Sequence, residues 1–67
     1  MKIRILKDVL IEVEKPRLEE VWDQELRRWN ELNIESIQSN GSTADLITFE
    51  GDVYLEVPSD CFEILRS

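Results

Sequence analysis

Apolar and polar side chains alternate near the start of the chain. Five apolar residues there all occupy odd positions: Ile3, Ile5, Val9, Ile11 and Val13. A period of two is typical of a β-strand with one buried face. A hairpin at Lys7-Asp8 would mix charged and apolar side chains on both faces, and this dipeptide is a poor two-residue turn. We therefore predict a single strand over residues 1–14, bent or bulged near Lys7.

The apolar spacing changes from 2 to about 3.6 after Pro16, a residue that suits the first turn of a helix. The apolar positions are then Leu18, Val21, Trp22, Leu26 and Trp29. Acidic residues near the beginning of this segment and arginines near its end complement a helix dipole. The pattern predicts an α-helix over residues 16–30.

Two tryptophans lie seven residues apart on the predicted helix, Trp22 and Trp29. We expect both to pack against the sheet as part of the core. The alternative is that Trp29, at the end of the helix, stays exposed and joins Tyr54 as an interface anchor, because Trp and Tyr are enriched at binding hot spots.

The rest of the chain returns to a strand pattern broken by turns. Apolar residues from Leu32 to Ile37 lead into Ser39-Asn40-Gly41-Ser42, and Asn and Gly accept the positive φ of a hairpin turn. Residues 44–49 should form the second strand of this hairpin. A second turn is predicted at residues 50–52, followed by a strand over 53–57, a break at 58–60 and a short last strand over 62–65.

The segment Val57-Pro58-Ser59-Asp60-Cys61-Phe62-Glu63-Ile64-Leu65 resembles the closing segment of SH3 domains, which supplies a 3₁₀ turn and the last strand. The resemblance implies a small five-stranded SH3-like barrel. With the predicted helix inserted after the first strand, the fold class is mainly β with one helix (α+β), in a single domain spanning residues 1–67.

The SH3-like resemblance does not extend to the groove that binds proline-rich peptides. The Ala-Leu-Tyr-Asp-Tyr-like motif of that groove has no counterpart, no tryptophan follows Trp29, and Cys61 stands where those domains have a tyrosine; only Pro58 is retained. The resemblance therefore implies a fold but not that binding activity.

Residues that usually carry catalysis are scarce. The chain has no histidine, the commonest general base and metal ligand. Its one cysteine, Cys61, lies between acidic residues that would raise a thiol pKa. No nucleotide-binding loop occurs, and Glu50, Asp52 and Asp60 lack the spacing of a Ca²⁺ site. We predict no catalytic residue, no cofactor and no metal, so the chain is not expected to be an enzyme.

Charge divides the chain into two unequal halves. Residues 1–30 carry seven acids and seven bases, whereas residues 31–65 carry eight acids and no base. This disfavours direct binding to nucleic acid or to an anionic membrane, and it favours a protein partner with a basic surface. The plainer interpretation is that net charge keeps a small domain in solution.

We predict a noncatalytic protein-interaction module or a small accessory or regulatory subunit. The alternative is an acidic inhibitor that imitates nucleic acid and blocks a DNA- or RNA-binding protein, as small phage-encoded anti-restriction or anti-CRISPR-like antagonists do. A domain that binds a small molecule or a metal is a third class, but a 67-residue chain leaves little room for a pocket. The interface candidates are Trp29, Tyr54, Asp45, Glu50, Asp52, Glu56, Asp60 and Glu63.

Two expectations concern the setting of the protein. No apolar stretch approaches the length of a membrane span, the first residues do not resemble a signal peptide, and the single cysteine excludes an internal disulfide, so we expect a cytoplasmic protein. Edge strands of a small barrel can pair with a second copy, which leaves a homodimer open.

Overall fold

The structure is a computed structural model that describes residues 1–66. Within this range the chain forms eight strands and two short 3₁₀ turns, and it contains no α-helix. The strands are β1 (Lys2–Ile5), β2 (Val9–Lys15), β3 (Glu20–Leu26), β4 (Glu31–Asn33), β5 (Ser36–Asn40), β6 (Thr43–Ile47), β7 (Val53–Pro58) and β8 (Phe62–Leu65). The 3₁₀ turns are Pro16–Leu18 and Ser59–Cys61.

The strands form two antiparallel sheets. The smaller has the order β4-β1-β8 and the larger the order β3-β2-β7-β6-β5. Both sheets have open edges, so the strands of residues 1–66 do not close into the barrel that the SH3 resemblance implied. The predicted five-stranded barrel with a helix is therefore wrong, and the chain is an all-β protein of two sheets.

The two sheets share one hydrophobic core. Ile3 and Ile5 of β1 are fully buried and cluster with residues of the larger sheet. The other buried members of the cluster are Ile11, Val13, Leu26, Ile34, Ala44, Leu46 and Val57. Burying a Val, Leu or Ile side chain contributes about 1.5–3 kcal/mol to stability. The chain has no disulfide, so this cluster is its main source of stability.

The helix predicted over residues 16–30 is wrong. After the 3₁₀ turn, Glu19 adopts a left-handed conformation (φ 52°) that reverses the chain, and β3 then pairs with β2 over seven residue pairs. Of the residues that suggested a helical stripe, only Leu26 is buried. The local spacing fits a helix, but pairing with β2 decides the outcome because it satisfies the backbone of a strand that would otherwise be a sheet edge.

The single strand predicted over residues 1–14 is also divided. The alternation holds, and the break falls near Lys7, but β1 and β2 belong to different sheets. β1 pairs with β4 and β8. The hairpin at Lys7-Asp8 is not formed either, because β2 pairs with β3 and β7.

The predicted turns are confirmed. β5 and β6 form a hairpin whose last pair is Asn40 with Thr43, and Gly41 has the positive φ (72°) that the turn requires. Gly51 occupies the second turn with φ 91°. The 3₁₀ turn and the short last strand expected from the closing segment are present, and β8 pairs with β1.

The prediction that both tryptophans pack in the core is wrong. Trp22 is 50% exposed and Trp29 is 58% exposed. Trp22 lies on the edge strand β3, whose only buried residue is Leu26. Trp29 lies in the turn before β4 with φ 73°, and its N–H donates to the Ile5 carbonyl at 2.6 Å.

Within residues 1–66, no helix has both the length and the apolar character needed to cross a membrane.

Candidate interaction surface

The larger sheet carries almost all of its charge with one sign. Its five strands contain seven acidic residues and a single base, Lys15. The Lys15 ammonium is already engaged, because its Nζ lies 3.0 Å from Asp52 Oδ2 and 4.8 Å from the centre of the Trp22 ring. The sheet therefore presents carboxylates without a free cation among its own strand residues.

Two of these carboxylates face each other across adjacent strands. Glu12 of β2 is the direct partner of Asp23 of β3 in the antiparallel register. Directly opposed residues project from the same face of a sheet, and Glu12 lies between buried Ile11 and Val13, so both carboxylates project from the face that points away from the core. Like charges in this position destabilise a sheet by up to about 1 kcal/mol.

A β-bulge brings two further carboxylates to the same face. The register between β6 and β7 shifts between Ala44 and Leu46, and Glu56 adopts a left-handed conformation (φ 49°). The Glu56 N–H donates to Asp45 Oδ1 at 2.9 Å, and Asn40 Nδ2 donates to Asp45 Oδ2 at 3.4 Å. Asp45 thus holds the bulge in place while its carboxylate remains at the surface.

These four carboxylates line one open groove of about 600 Å³. We call this surface the acidic groove; its lining residues are Leu10, Ile11, Glu12, Asp23, Asn40, Asp45, Leu55 and Glu56. Leu10 is 68% exposed, the highest value among the large apolar residues exposed in the structure. The acidic groove therefore combines four negative charges with accessible apolar surface and has no Lys or Arg in its lining.

Of the predicted acidic interface residues, the structure brings only Asp45 and Glu56 together in this groove. Three others lie in exposed or partly exposed ion pairs elsewhere: Asp52 with Lys15 (3.0 Å), Asp60 with Lys7 (3.0 Å) and Glu63 with Arg4 (3.5 Å). Glu50 is exposed in the turn before β7.

The two aromatic candidates lie in separate elements. Trp29 is exposed, and the guanidinium of Arg28 lies 4.5 Å from the centre of its ring. Tyr54 of β7 is partly buried against the core and pairs with Val13 and Leu46 in the sheet.

Sequence reasoning missed two of the four carboxylates of the groove, Glu12 and Asp23. Both lie in the half of the chain whose net charge is zero, so a count by halves concealed them. The alternation of residues 11–13 already places Glu12 opposite the buried face. The missing information was that β3 is a strand, because only the β2–β3 register brings Asp23 beside it.

Cys61 shows no sign of activation. It is buried, and burial is the main cause that raises the pKa of its thiol, followed by the charge of Asp60. Its Sγ donates to Asp60 Oδ1 at 3.6 Å. The hydrogen bond from Lys7 lowers the pKa of Asp60, and the same contact raises the pKa of Lys7. A protonated, buried thiol is typical of a packing residue.

No group of three or more His, Cys, Asp or Glu side chains within residues 1–66 is arranged to hold a metal ion. The fold and this surface define a small all-β protein of two antiparallel sheets with an acidic groove on the larger one. Comparisons of the chain with protein-family models, curated proteins and solved structures found no match.

Proposed function

We propose that the protein is a noncatalytic interaction module that binds a partner protein with a basic surface through the acidic groove. The observation that carries this proposal is the opposition of Glu12 and Asp23 on a sheet face that has no base among its strand residues. Solubility requires net charge but does not require carboxylates to be placed directly opposite each other. A cationic partner would relieve this repulsion, so the arrangement is most favourable in a complex.

The composition of the groove also suits a protein ligand. Leu10 and Leu55 supply apolar contact area among the carboxylates. Protein interfaces combine a desolvated apolar centre with polar contacts around it, and the long side chains of Lys and Arg bury their methylene groups while their charged ends meet carboxylates. A basic protein surface fits both features of the acidic groove.

The test is capture of partners from a cell lysate by three immobilised proteins. They are the wild type, the groove variant Glu12→Gln/Asp23→Asn/Asp45→Asn, and the control Glu19→Gln/Glu35→Gln/Glu50→Gln. The control removes the same number of charges from exposed positions outside the groove. We expect a protein that the wild type and control retain and the groove variant loses, identified by mass spectrometry. Retention of the same proteins by all three would contradict the proposal.

A second candidate function is inhibition of a partner whose basic surface normally binds nucleic acid. Asp23, Glu12, Glu56 and Asp45 lie on β3, β2, β7 and β6, four adjacent strands of the sheet. Adjacent strands are about 4.8 Å apart, so the carboxylates form a row across the sheet that can imitate a line of phosphates. This favours an inhibitor that occupies the nucleic-acid site of its partner. Displacement of the captured partner by duplex DNA or RNA would support this candidate, and a ternary complex would exclude it.

The SH3 resemblance and the location of the protein remain proposals. We propose that the SH3 resemblance applies only to the closing segment, residues 57–65, and only to the local fold of that segment. We place the protein in the cytoplasm, with the free thiol of Cys61 as the supporting feature.

A further inference from the structure

Strand β3 is an open edge of the larger sheet. It pairs with β2 on one side, and it is the first strand in the sheet order, so no strand of residues 1–66 lies on its other side. Six of its seven residues are exposed. An exposed edge strand presents unpaired N–H and C=O groups that serve as a template for another strand.

Exposed apolar side chains gather on the same hairpin. The structure has eight exposed large apolar residues, and four of them belong to β2, β3 or the turn between these strands. They are Leu10, Leu18, Val21 and Trp22. An exposed edge with accessible apolar side chains is a feature that natural sheets usually avoid unless the edge is used for pairing.

Charge argues against a second copy as the occupant. β3 carries Glu20, Asp23 and Glu25 and no base. Antiparallel pairing of two copies about Asp23 would place this residue opposite itself and bring three acids from each strand together. Like charges directly opposed across strands are destabilising, so the edge disfavours self-association and favours a basic strand.

We propose that β3 is a strand-addition site that binds an extended, basic segment of a partner protein. This inference rests on the proposed function, since it names the form in which a basic partner meets the acidic groove. The added strand continues the sheet next to Asp23 and Glu25, whose side chains share the outer face with Glu12. Main-chain hydrogen bonds along β3 give affinity, and alternating side chains of the ligand give specificity.

The two faces of β3 specify the alternation of the ligand. On the outer face, Asp23 and Glu25 favour Lys or Arg at alternate positions of the ligand, and Val21 follows them on the same face. On the inner face, Trp22 offers an exposed ring beside Lys15. Aromatic residues pair well with β-branched side chains across strands, so the intervening positions of the ligand are Val or Ile.

The experiment uses two blocked synthetic peptides of equal charge. The first is acetyl-Val-Lys-Val-Lys-Val-Lys-Val-amide, and the second replaces the two central valines with proline, which removes backbone donors and disfavours pairing in a sheet. Each is titrated into the ¹⁵N-labelled protein at low salt, and amide hydrogen exchange is measured residue by residue. Strand β5, the opposite edge of the same sheet, is the internal control.

We expect the valine peptide to bind at least tenfold more tightly than the proline peptide. It should slow exchange at every second amide of β3 by at least tenfold and leave β5 unchanged. Equal binding of both peptides without protection of β3 would overturn strand addition while leaving binding by the acidic groove intact. Protection of β5 instead of β3 would also overturn strand addition at β3. So would protection of β3 in the free protein that increases with protein concentration, because the occupant would then be a second copy of the chain.

Failure of both peptides to bind would overturn the strand-addition inference alone. The proposed function is decided separately by the capture experiment, whose variants leave the backbone of β3 able to pair. The two proposals therefore fail in distinguishable ways.

Discussion

Glu12 lies directly opposite Asp23 in the β2–β3 ladder, and both carboxylates face away from the core. Neither forms an ion pair within residues 1–66 at a distance of 4.0 Å or less. The acidic groove is thus built at some expense of sheet stability. The opposition of Glu12 and Asp23 means that the fold concentrates negative charge in the acidic groove, which net charge alone would not require.

The first prediction concerns the stability effect of this pair. Asp23→Lys should raise the free energy of unfolding by about 0.5–1 kcal/mol, because it replaces a like-charge cross-strand pair with an attractive one. Urea denaturation at low salt measures the change. Glu50→Lys is the matched control, since it makes the same change of net charge in an exposed turn. Equal stabilisation by both substitutions would show that only net charge matters.

The second prediction contrasts a core residue with an exposed one. Leu46 is fully buried, and Leu46→Ala should cost about 2–5 kcal/mol through lost burial and the cavity left behind. Trp22 is half exposed; Lys15 Nζ lies 4.8 Å from the centre of its ring, and its Nε1–H donates to Glu20 Oε2 at the surface. Trp22→Ala should therefore cost about 1 kcal/mol or less. Thermal or urea unfolding checks both. A comparable loss in the two variants would place Trp22 in the core after all.

The third prediction separates the charge of Asp45 from its hydrogen bond. Asp45→Ala removes the acceptor of the Glu56 N–H and should cost about 0.5–1.5 kcal/mol. Asp45→Asn retains a carbonyl oxygen at that position and should lose much less. Chemical denaturation gives the two values. If the asparagine variant were as unstable as the alanine variant, the bulge would depend on the charge of Asp45 rather than on its acceptor.

The fourth prediction is a loss of stability at alkaline pH that depends on Cys61. Burial raises the pKa of this thiol in the folded protein, whereas in the unfolded chain it ionises near its usual value of about 8.5. The buried thiol therefore makes its full contribution to the free energy of unfolding below that pH. This contribution falls as the pH rises above it, because the thiol loses its proton at a lower pH in the unfolded chain than in the folded protein.

Unfolding free energies measured from pH 7 to pH 10 for the wild type and for Cys61→Ala test the alkaline effect. The slope that the wild type shows in excess of the variant is the contribution of the thiol. Parallel curves for the two proteins would contradict the assignment of a buried, protonated Cys61.

The sequence predicted those parts of the fold that depend on neighbouring residues. The turns at Gly41 and Gly51 follow from the few residue types that accept positive φ, and the break after Pro58 follows from the chemistry of that segment. These features need no knowledge of distant residues, so local reasoning was sufficient.

The segment 16–30 could not be assigned in the same way. Its apolar spacing fits a helix, but the backbone of β2 obtains seven paired residues if the segment is a strand, and that gain is invisible in local sequence. The error carried over to the surface. With residues 16–30 taken as a helix, Asp23 had no place beside Glu12, and only Asp45 and Glu56 of the acidic groove were among the predicted residues.

The most direct test of the account is the affinity of the captured partner for two variants of equal net charge. We predict that Glu12→Gln/Asp23→Asn/Asp45→Asn raises the Kd at least tenfold, or about 1.4 kcal/mol, and that Glu19→Gln/Glu35→Gln/Glu50→Gln leaves it within about twofold of wild type. Titration calorimetry at fixed ionic strength gives both values. Equal weakening in the two variants would mean that net charge alone drives binding, and it would contradict a specific acidic groove.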